Sequence, residues 1–192
     1  VVDPDGTVRH VPTKIIVADG QYYAVIRSLT NSTYAVVWNP VEFSDVALHW
    51  AKDTVNNMGS RMIVQGAGDG NFNPDRDITR AEFAAIIVRA LGLKLEHGPS
   101  AFTDVSDTDW YNRAIRTAHA YGLLSGYADG TFRPNEKITR EQAMVIIARA
   151  MAITGLASEM PVRSADPTLG AFTDAAQASA WAANSIAEAV QA

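Results

Sequence analysis

The chain has 192 residues, 47% of them apolar, no cysteine, and a net charge of −5 with a pI near 5.3. The apolar content calls for a buried core, enough for one compact domain and a smaller second one. No apolar run reaches the ~18 residues needed to span a membrane, so membrane insertion is not expected. The missing cysteines exclude disulfides, thiolate metal sites and cysteine nucleophiles. The acidic balance, with no basic stripe to offset it, excludes duplex nucleic acid as a partner.

Residues 1–41 read as β structure. Val8 to Val11, Lys14 to Val17, Tyr22 to Arg27 and Tyr34 to Trp38 are rich in β-branched and aromatic residues. Asp19-Gly20 is a hairpin-turn pair, and Asn39-Pro40 ends the segment. A small meander of about four strands is expected, too small to stand alone and read as the tail of an upstream domain. The first residues lack the basic and apolar regions of a signal peptide.

From Phe43 a repeat begins. Phe43-Ser-Asp45-Val46 returns as Phe102-Thr-Asp104-Val105 and as Phe172-Thr-Asp174-Ala175, and a tryptophan follows each time: Trp50, Trp110 and Trp181. Repeats 1 and 2 align without a gap at an offset of 60, with 13 identities in the 42 positions from Trp50 to Leu91. The identities cluster: Gly66, Asp69, Gly70, Phe72, Pro74 and Ile78-Thr79-Arg80 match Gly126, Asp129, Gly130, Phe132, Pro134 and Ile138-Thr139-Arg140. Such blocks at equal spacing establish a repeat architecture.

Each full repeat predicts helix, loop, helix. The first helix follows the tryptophan and carries Val55 and Met58, or Ile115 and Ala118. The loop Gly-x-x-Asp-Gly-x-Phe-x-Pro holds too many helix breakers to continue it. The second helix starts at Thr79 or Thr139. Its apolar residues recur at helical spacing: Phe83, Ile86, Ile87, Ala90 and Leu91, then Met144, Ile146, Ile147, Ala150 and Met151. Gly92 ends the first of these helices, and residues 93–101 and 155–171 read as linkers. The expected segments are 1–41, then repeats over 42–95, 101–156 and 171–192. The third reaches only Ala192 and lacks the loop and the Thr-Arg pair; it is read as a cut within a longer protein.

Thr79-x-x-Glu82 and Thr139-x-x-Gln142 are capping boxes, which explains the threonines and their partners structurally. Capping does not require Arg80. A cation on an exposed first turn, beside free N–H groups, makes a site for a carboxylate; the alternative is a salt bridge to a neighbouring acid. Asp69-Gly70 and Asp129-Gly130 read as turns, with the phenylalanines and prolines anchoring the loops. Asp69, Asn71, Asn73, Asp75 and Asp77 alternate as in a calcium loop, but Pro74 stands where an EF-hand needs glycine, and no metal site is assigned. For Trp50 core packing is favoured over stacking on a sugar face. For Trp110 and Trp181 packing and stacking on a sugar face stand level. The four histidines form no metal-binding pair, no nucleophile motif or P-loop occurs, and no catalytic residue or cofactor is assigned.

Taken together, Phe43-x-Asp45-Val46, His49-Trp50-Ala51, Gly70-x-Phe72-x-Pro74 and Ile78-Thr79-Arg80-Ala81-Glu82, with their counterparts in repeat 2, resemble the S-layer homology domain family. The resemblance implies a mainly α fold, with helix-loop-helix repeats in a pseudo-threefold helical bundle behind the β-meander. It implies an extracellular place at the cell wall or surface layer. It also implies non-covalent anchoring through an anionic, often pyruvylated, secondary wall polysaccharide or peptidoglycan-linked polymer of Gram-positive bacteria, bound in grooves between repeats. The family's arginine maps onto Arg80 and Arg140. The candidate ligand-binding residues are Arg80, Arg140, Trp110, Trp181, Gly66 and Gly126. Glu141 beside Arg140 departs from the family pattern and offsets that charge, and repeat 3 lacks the motif. Two other readings stand beside this one: a self-assembly module of a surface layer, and the non-catalytic C-terminal part of a wall-associated glycoside hydrolase. With no second helix in repeat 3, Trp181, Ile186 and Val190 are expected to form an apolar edge that drives homodimerisation.

Overall fold

The computed structural model describes residues 1–29, 31–159 and 168–192. The chain divides into two compact units, the first made of residues 1–77 and 85–96 and the second of residues 78–84 and 97–192.

In the first unit, strands β1 (Thr13–Ala18) and β2 (Gln21–Ile26) pair antiparallel, with Thr13 opposite Ile26 and Ala18 opposite Gln21. Asp19 and Gly20 both take positive φ, 52° and 74°, as a two-residue hairpin turn that matches the twist of its strands requires. The expected four-strand meander is corrected to this hairpin. Val8 contributes one isolated bridge, to Val2, and Tyr34 to Trp38 form no strand. The hairpin exposes nearly all of its residues, so neither face offers the burial that would hold a third and fourth strand. The N-terminal stretch is held instead by Arg9. Its Nε lies 2.9 Å from Asp3, and its Nη1 donates to the carbonyl of Gly92.

Helix α1 (Lys52–Ser60) follows Trp50, as the pattern predicts. Its inward residue Val55 closes on Phe43 and Val46, and Val41, Ala51, Val64 and Phe72 pack around that trio. The next helix, α2 (Arg80–Ala90), is led by Thr79, and Gly92 at φ 65° ends it. Its first five residues belong to the second unit and the remainder to the first.

The second unit contains α3 (Asn112–Ala120), α4 (Arg140–Ile153), the short α5 (Leu156–Glu159) and α6 (Ala183–Gln191). Ile115 and Thr117 from α3, Leu123 and the loop residue Phe132 are fully buried at its centre. Helix α6 packs on α4 and buries Ala182 and Ala187. Trp181 and Val190 stay exposed and Ile186 is half-buried. Leu156–Glu159 is helical where a linker was expected, and part of that predicted linker, 160–167, lies outside the described residues.

Candidate functional site

The aspartate of each Phe-x-Asp-Val motif organises the loop that follows it. In repeat 2 the Asp104 carboxylate accepts the N–H groups of Phe132 and Arg133 at 2.8 and 2.7 Å. In repeat 1 Asp45 accepts those of Phe72 and Asn73 at 2.9 and 2.6 Å, which lowers its pKa. The loop aspartates do a second job. Asp69 accepts the N–H of Asn71, and Asp129 that of Thr131, both at 3.0 Å. Gly70 and Gly130 take positive φ, 85° and 81°, as the turn reading requires. Of the alternating acidic residues of repeat 1, Asp69 is thus engaged with backbone, and Asp75 lies 3.5 Å from His49 Nε2. Among the described residues no three His, Asp or Glu side chains gather to hold a metal ion.

The two glycines that open the loops admit no side chain. A Cβ on Gly66 would meet the Asn71 carbonyl oxygen at 2.6 Å and the Phe43 ring at 2.8 Å. On Gly126 it would meet the Phe102 ring at 2.4 Å and the Thr131 carbonyl oxygen at 2.6 Å.

Arg80 is buried, 7% exposed, which corrects the expectation of an exposed first turn. Nor are its neighbouring N–H groups free: Arg80 N donates to Glu136 O at 2.8 Å and Ala81 N to Pro134 O at 3.0 Å. The guanidinium lies between two aromatic rings of repeat 2, with Cζ 4.6 Å from the centroid of Phe132 and 4.9 Å from that of Tyr127. Its Nε donates to Phe132 O at 2.9 Å and its Nη2 to Ser125 O at 3.4 Å. Burial pushes its pKa below the usual arginine value, while the Tyr127 hydroxyl and the Glu136 carboxylate push it back up; a guanidinium so placed stays charged. No carboxylate among the described residues lies within ion-pair distance of it, so the salt-bridge alternative is not what this structure holds. The Thr79–Glu82 capping box beneath it is present as expected: Thr79 Oγ1 accepts Glu82 N at 3.2 Å, and Glu82 Oε2 accepts Thr79 N at 2.8 Å.

Arg80 forms part of the wall of a cavity of about 460 Å³. The loop contributes Ser125, Gly126, Tyr127 and Phe132, α4 contributes Gln142, Val145, Ile146 and Arg149, and Trp181 and Ser185 also line it. No Asp or Glu lines it. The Tyr127 ring is taken by guanidiniums, Arg80 at 4.9 Å and Arg133 at 4.0 Å. The charged guanidinium of Arg80, the ring of Trp181 and hydroxyl or amide groups (Ser125, Ser185, Gln142) suit a polar, ring-shaped ligand carrying negative charge.

A family model for the S-layer homology domain matches residues 42–84 and 101–144. These two segments are S-layer homology domains. Among curated proteins, the chain is 37% identical over 166 residues to the exoglucanase XynX of Acetivibrio thermocellus, covering 85% of this chain and 14% of that protein. It is 33% identical over 141 residues to a surface layer protein of Brevibacillus choshinensis, covering 66% and 12%. It is 36% identical over 107 residues to the cellulosome-anchoring protein of Acetivibrio thermocellus, covering 54% and 24%. The chain thus spans a quarter or less of the length of each of these relatives.

Of the residues singled out in the S-layer homology repeats, the structure brings Arg80, Gly126 and Trp181 to one cavity. Arg140, Trp110 and Gly66 do not line it. Arg140 is exposed, with no hydrogen-bond or ion-pair partner among the described residues. Trp110 is 63% exposed and meets Tyr111 edge-on, 5.3 Å between centroids. Trp50 is 91% exposed, which overturns the core-packing reading: its only ring contact among the described residues is His49, and Val55 and Phe43 fill the core below. Tyr127 and Arg149 are not marked by the sequence reading, and Gln142 is marked only as a cap. Tyr127 and Gln142 differ from their repeat 1 counterparts Ala67 and Glu82, so an argument from identities does not assign them to a binding site. Arg149 does match Arg89, and that pair was the available signal.

Proposed function

We propose that this chain is a non-catalytic anchoring module of an extracellular protein, holding it to the Gram-positive cell wall by binding an acidic, pyruvylated secondary wall polysaccharide in the cavity at Arg80. The observation that carries this reading is the guanidinium of Arg80, fixed between Phe132 and Tyr127 in a cavity lined by no carboxylate. A ligand carboxylate supplies the charge partner that the described residues do not. Trp181, which lines the cavity and is exposed, offers a face for a pyranose ring. The relatives' names fit: one is a surface layer protein, another anchors a cellulosome, and the exoglucanase carries its matching segment as a small fraction of its length. An anchoring module shared by such different proteins needs no catalytic group of its own.

The test is retention on purified Gram-positive wall sacculi before and after extraction of the secondary polymer, with free polymer as competitor. The chain is expected to sediment with intact sacculi, to stay in solution with extracted ones, and to be released by soluble polymer. Retention on extracted peptidoglycan overturns the reading.

A further inference from the structure

Arg149 sits on α4, nine residues beyond Arg140, and its guanidinium shares the cavity wall with Arg80. Both side chains reach the same residue. Arg149 Nη1 donates to Ser125 Oγ at 3.3 Å, and Arg80 Nη2 donates to Ser125 O at 3.4 Å. The further bond of Arg149, Nη1 to Leu123 O at 3.3 Å, is also to an uncharged oxygen. Its Nε and Nη2 have no hydrogen-bond partner among the described residues, and neither is sealed from solvent. Two cations therefore converge on one serine, with no carboxylate in the wall around them. Two like charges lining one cavity favour a bound anion there.

The nearby position 142 sharpens this. In repeat 1 the capping-box partner is Glu82, a carboxylate; in repeat 2 it is Gln142, which makes the same cap and donates to the Tyr127 hydroxyl at 3.3 Å. Capping therefore works with either residue. At the cap that lines the cavity, the neutral one is present.

We infer that Arg149 is a second ligand-binding cation, closing with Arg80 on one acidic substituent of the polysaccharide, and that Gln142 keeps this two-arginine clamp free of a competing carboxylate. The inference rests on the cavity's being the polysaccharide site. The acidic substituent is a carboxylate or a phosphate; both take paired guanidiniums.

The test titrates the chain calorimetrically with purified wall polysaccharide in three forms: intact, carboxyl-reduced, and dephosphorylated. Arg149→Gln is expected to weaken binding of the intact polymer tenfold or more. It is expected to bind the form lacking the recognised acid no worse than the parent does, whereas a purely structural role lowers both. Loss of discrimination on carboxyl reduction identifies a carboxylate, and loss on dephosphorylation a phosphate; either supports the clamp. The double variant Arg80→Gln/Arg149→Gln is expected to lose less than the product of the single losses, because both side chains grip one group. Gln142→Glu is expected to keep the parent's melting temperature while weakening only the acidic forms. Arg149→Lys covers the case in which Arg149→Gln does not fold, and is expected to keep the preference for the acidic polymer at reduced affinity. If Arg80→Gln loses binding while Arg149→Gln does not, or if Arg149→Gln weakens all forms alike, the second cation is refuted and the anchoring reading stands. A parent that binds none of the forms refutes both.

Discussion

Arg80 and Arg140 hold the same place in the same motif, each following a capping threonine, yet the structure treats them in opposite ways. Arg80 is buried between two aromatic rings, its backbone N–H bonded to Glu136 O. Arg140 is exposed, and neither its backbone N–H nor its side chain has a partner among the described residues. The open first turn that the sequence suggested at Arg80 is found at Arg140. The lesson is that the motif supplies a cation at a helix start and the residues facing it decide its use. Phe132 and Tyr127 make Arg80 part of a cavity wall; without such rings, Arg140 remains a solvated charge.

Replacing the two arginines separates these roles most widely. Arg80→Ala removes two stacking contacts and strips a buried carbonyl, Phe132 O, of its side-chain donor. It is expected to cost about 3 kcal/mol of stability as well as tenfold or more in polymer affinity. Arg140→Ala is expected to change stability by no more than about 0.5 kcal/mol. Paired denaturant melts and polymer titrations check this, and equal costs at the two positions break the comparison.

How far the sequence disclosed this follows from the range of each interaction. The capping boxes at Thr79 and Thr139, the turns at Asp69-Gly70 and Asp129-Gly130, and the hairpin at Asp19-Gly20 are made within a few residues, and all were legible. The burial of Arg80 was not, because it depends on Ser125, Tyr127 and Phe132, some 45 to 52 positions away. The same holds for Asp45 and Asp104, whose partners lie 27 to 29 residues on. Trp50 and the segment Tyr34 to Trp38 failed for a related reason. Apolar character says that a residue gains from burial, not that a neighbour exists to bury it, and both stretches stay exposed.

The opening glycines give the next largest effect. Gly126→Ala drives a methyl into the Phe102 ring and a carbonyl oxygen, and Gly66→Ala does so at slightly longer range. Backbone on one side and a buried ring on the other leave little room to yield. Each is expected to cost about 1–3 kcal/mol, with position 126 the worse of the two. Thermal unfolding of both variants checks the order. Below that comes the cap: Thr139→Ala removes the acceptor for Gln142 N and is expected to cost about 1 kcal/mol. Its direct effect on polymer binding is expected to be small, since Thr139 does not line the cavity.

The smallest effect separates the two loops by pH. Asp129 is held down to about 2 by the Thr131 hydroxyl, the Thr131 N–H and Arg133, whose Nη2 lies 3.1 Å away. Asp69 in repeat 1 is lowered chiefly by the Asn71 N–H and side chain, with no cation beside it, because Asn73 stands where Arg133 does. A carboxyl whose folded pKa is depressed stabilises the fold above its unfolded value, near 3.8, and loses that contribution as pH falls towards about 2. Stability is therefore expected to decline between pH 4 and 2, with Asp129 the later of the two loop aspartates to protonate. Arg133→Asn, which installs the repeat 1 residue, is expected to raise the Asp129 pKa towards that of Asp69 without unfolding the loop. The Thr131 bonds remain, and asparagine tolerates the positive φ of 58° at position 133 better than arginine does. Carboxyl-carbon NMR titration of parent and variant reads both aspartates at once. If the Asp129 titration does not move in Arg133→Asn, Thr131 alone sets it and the charge difference between the loops has no consequence there.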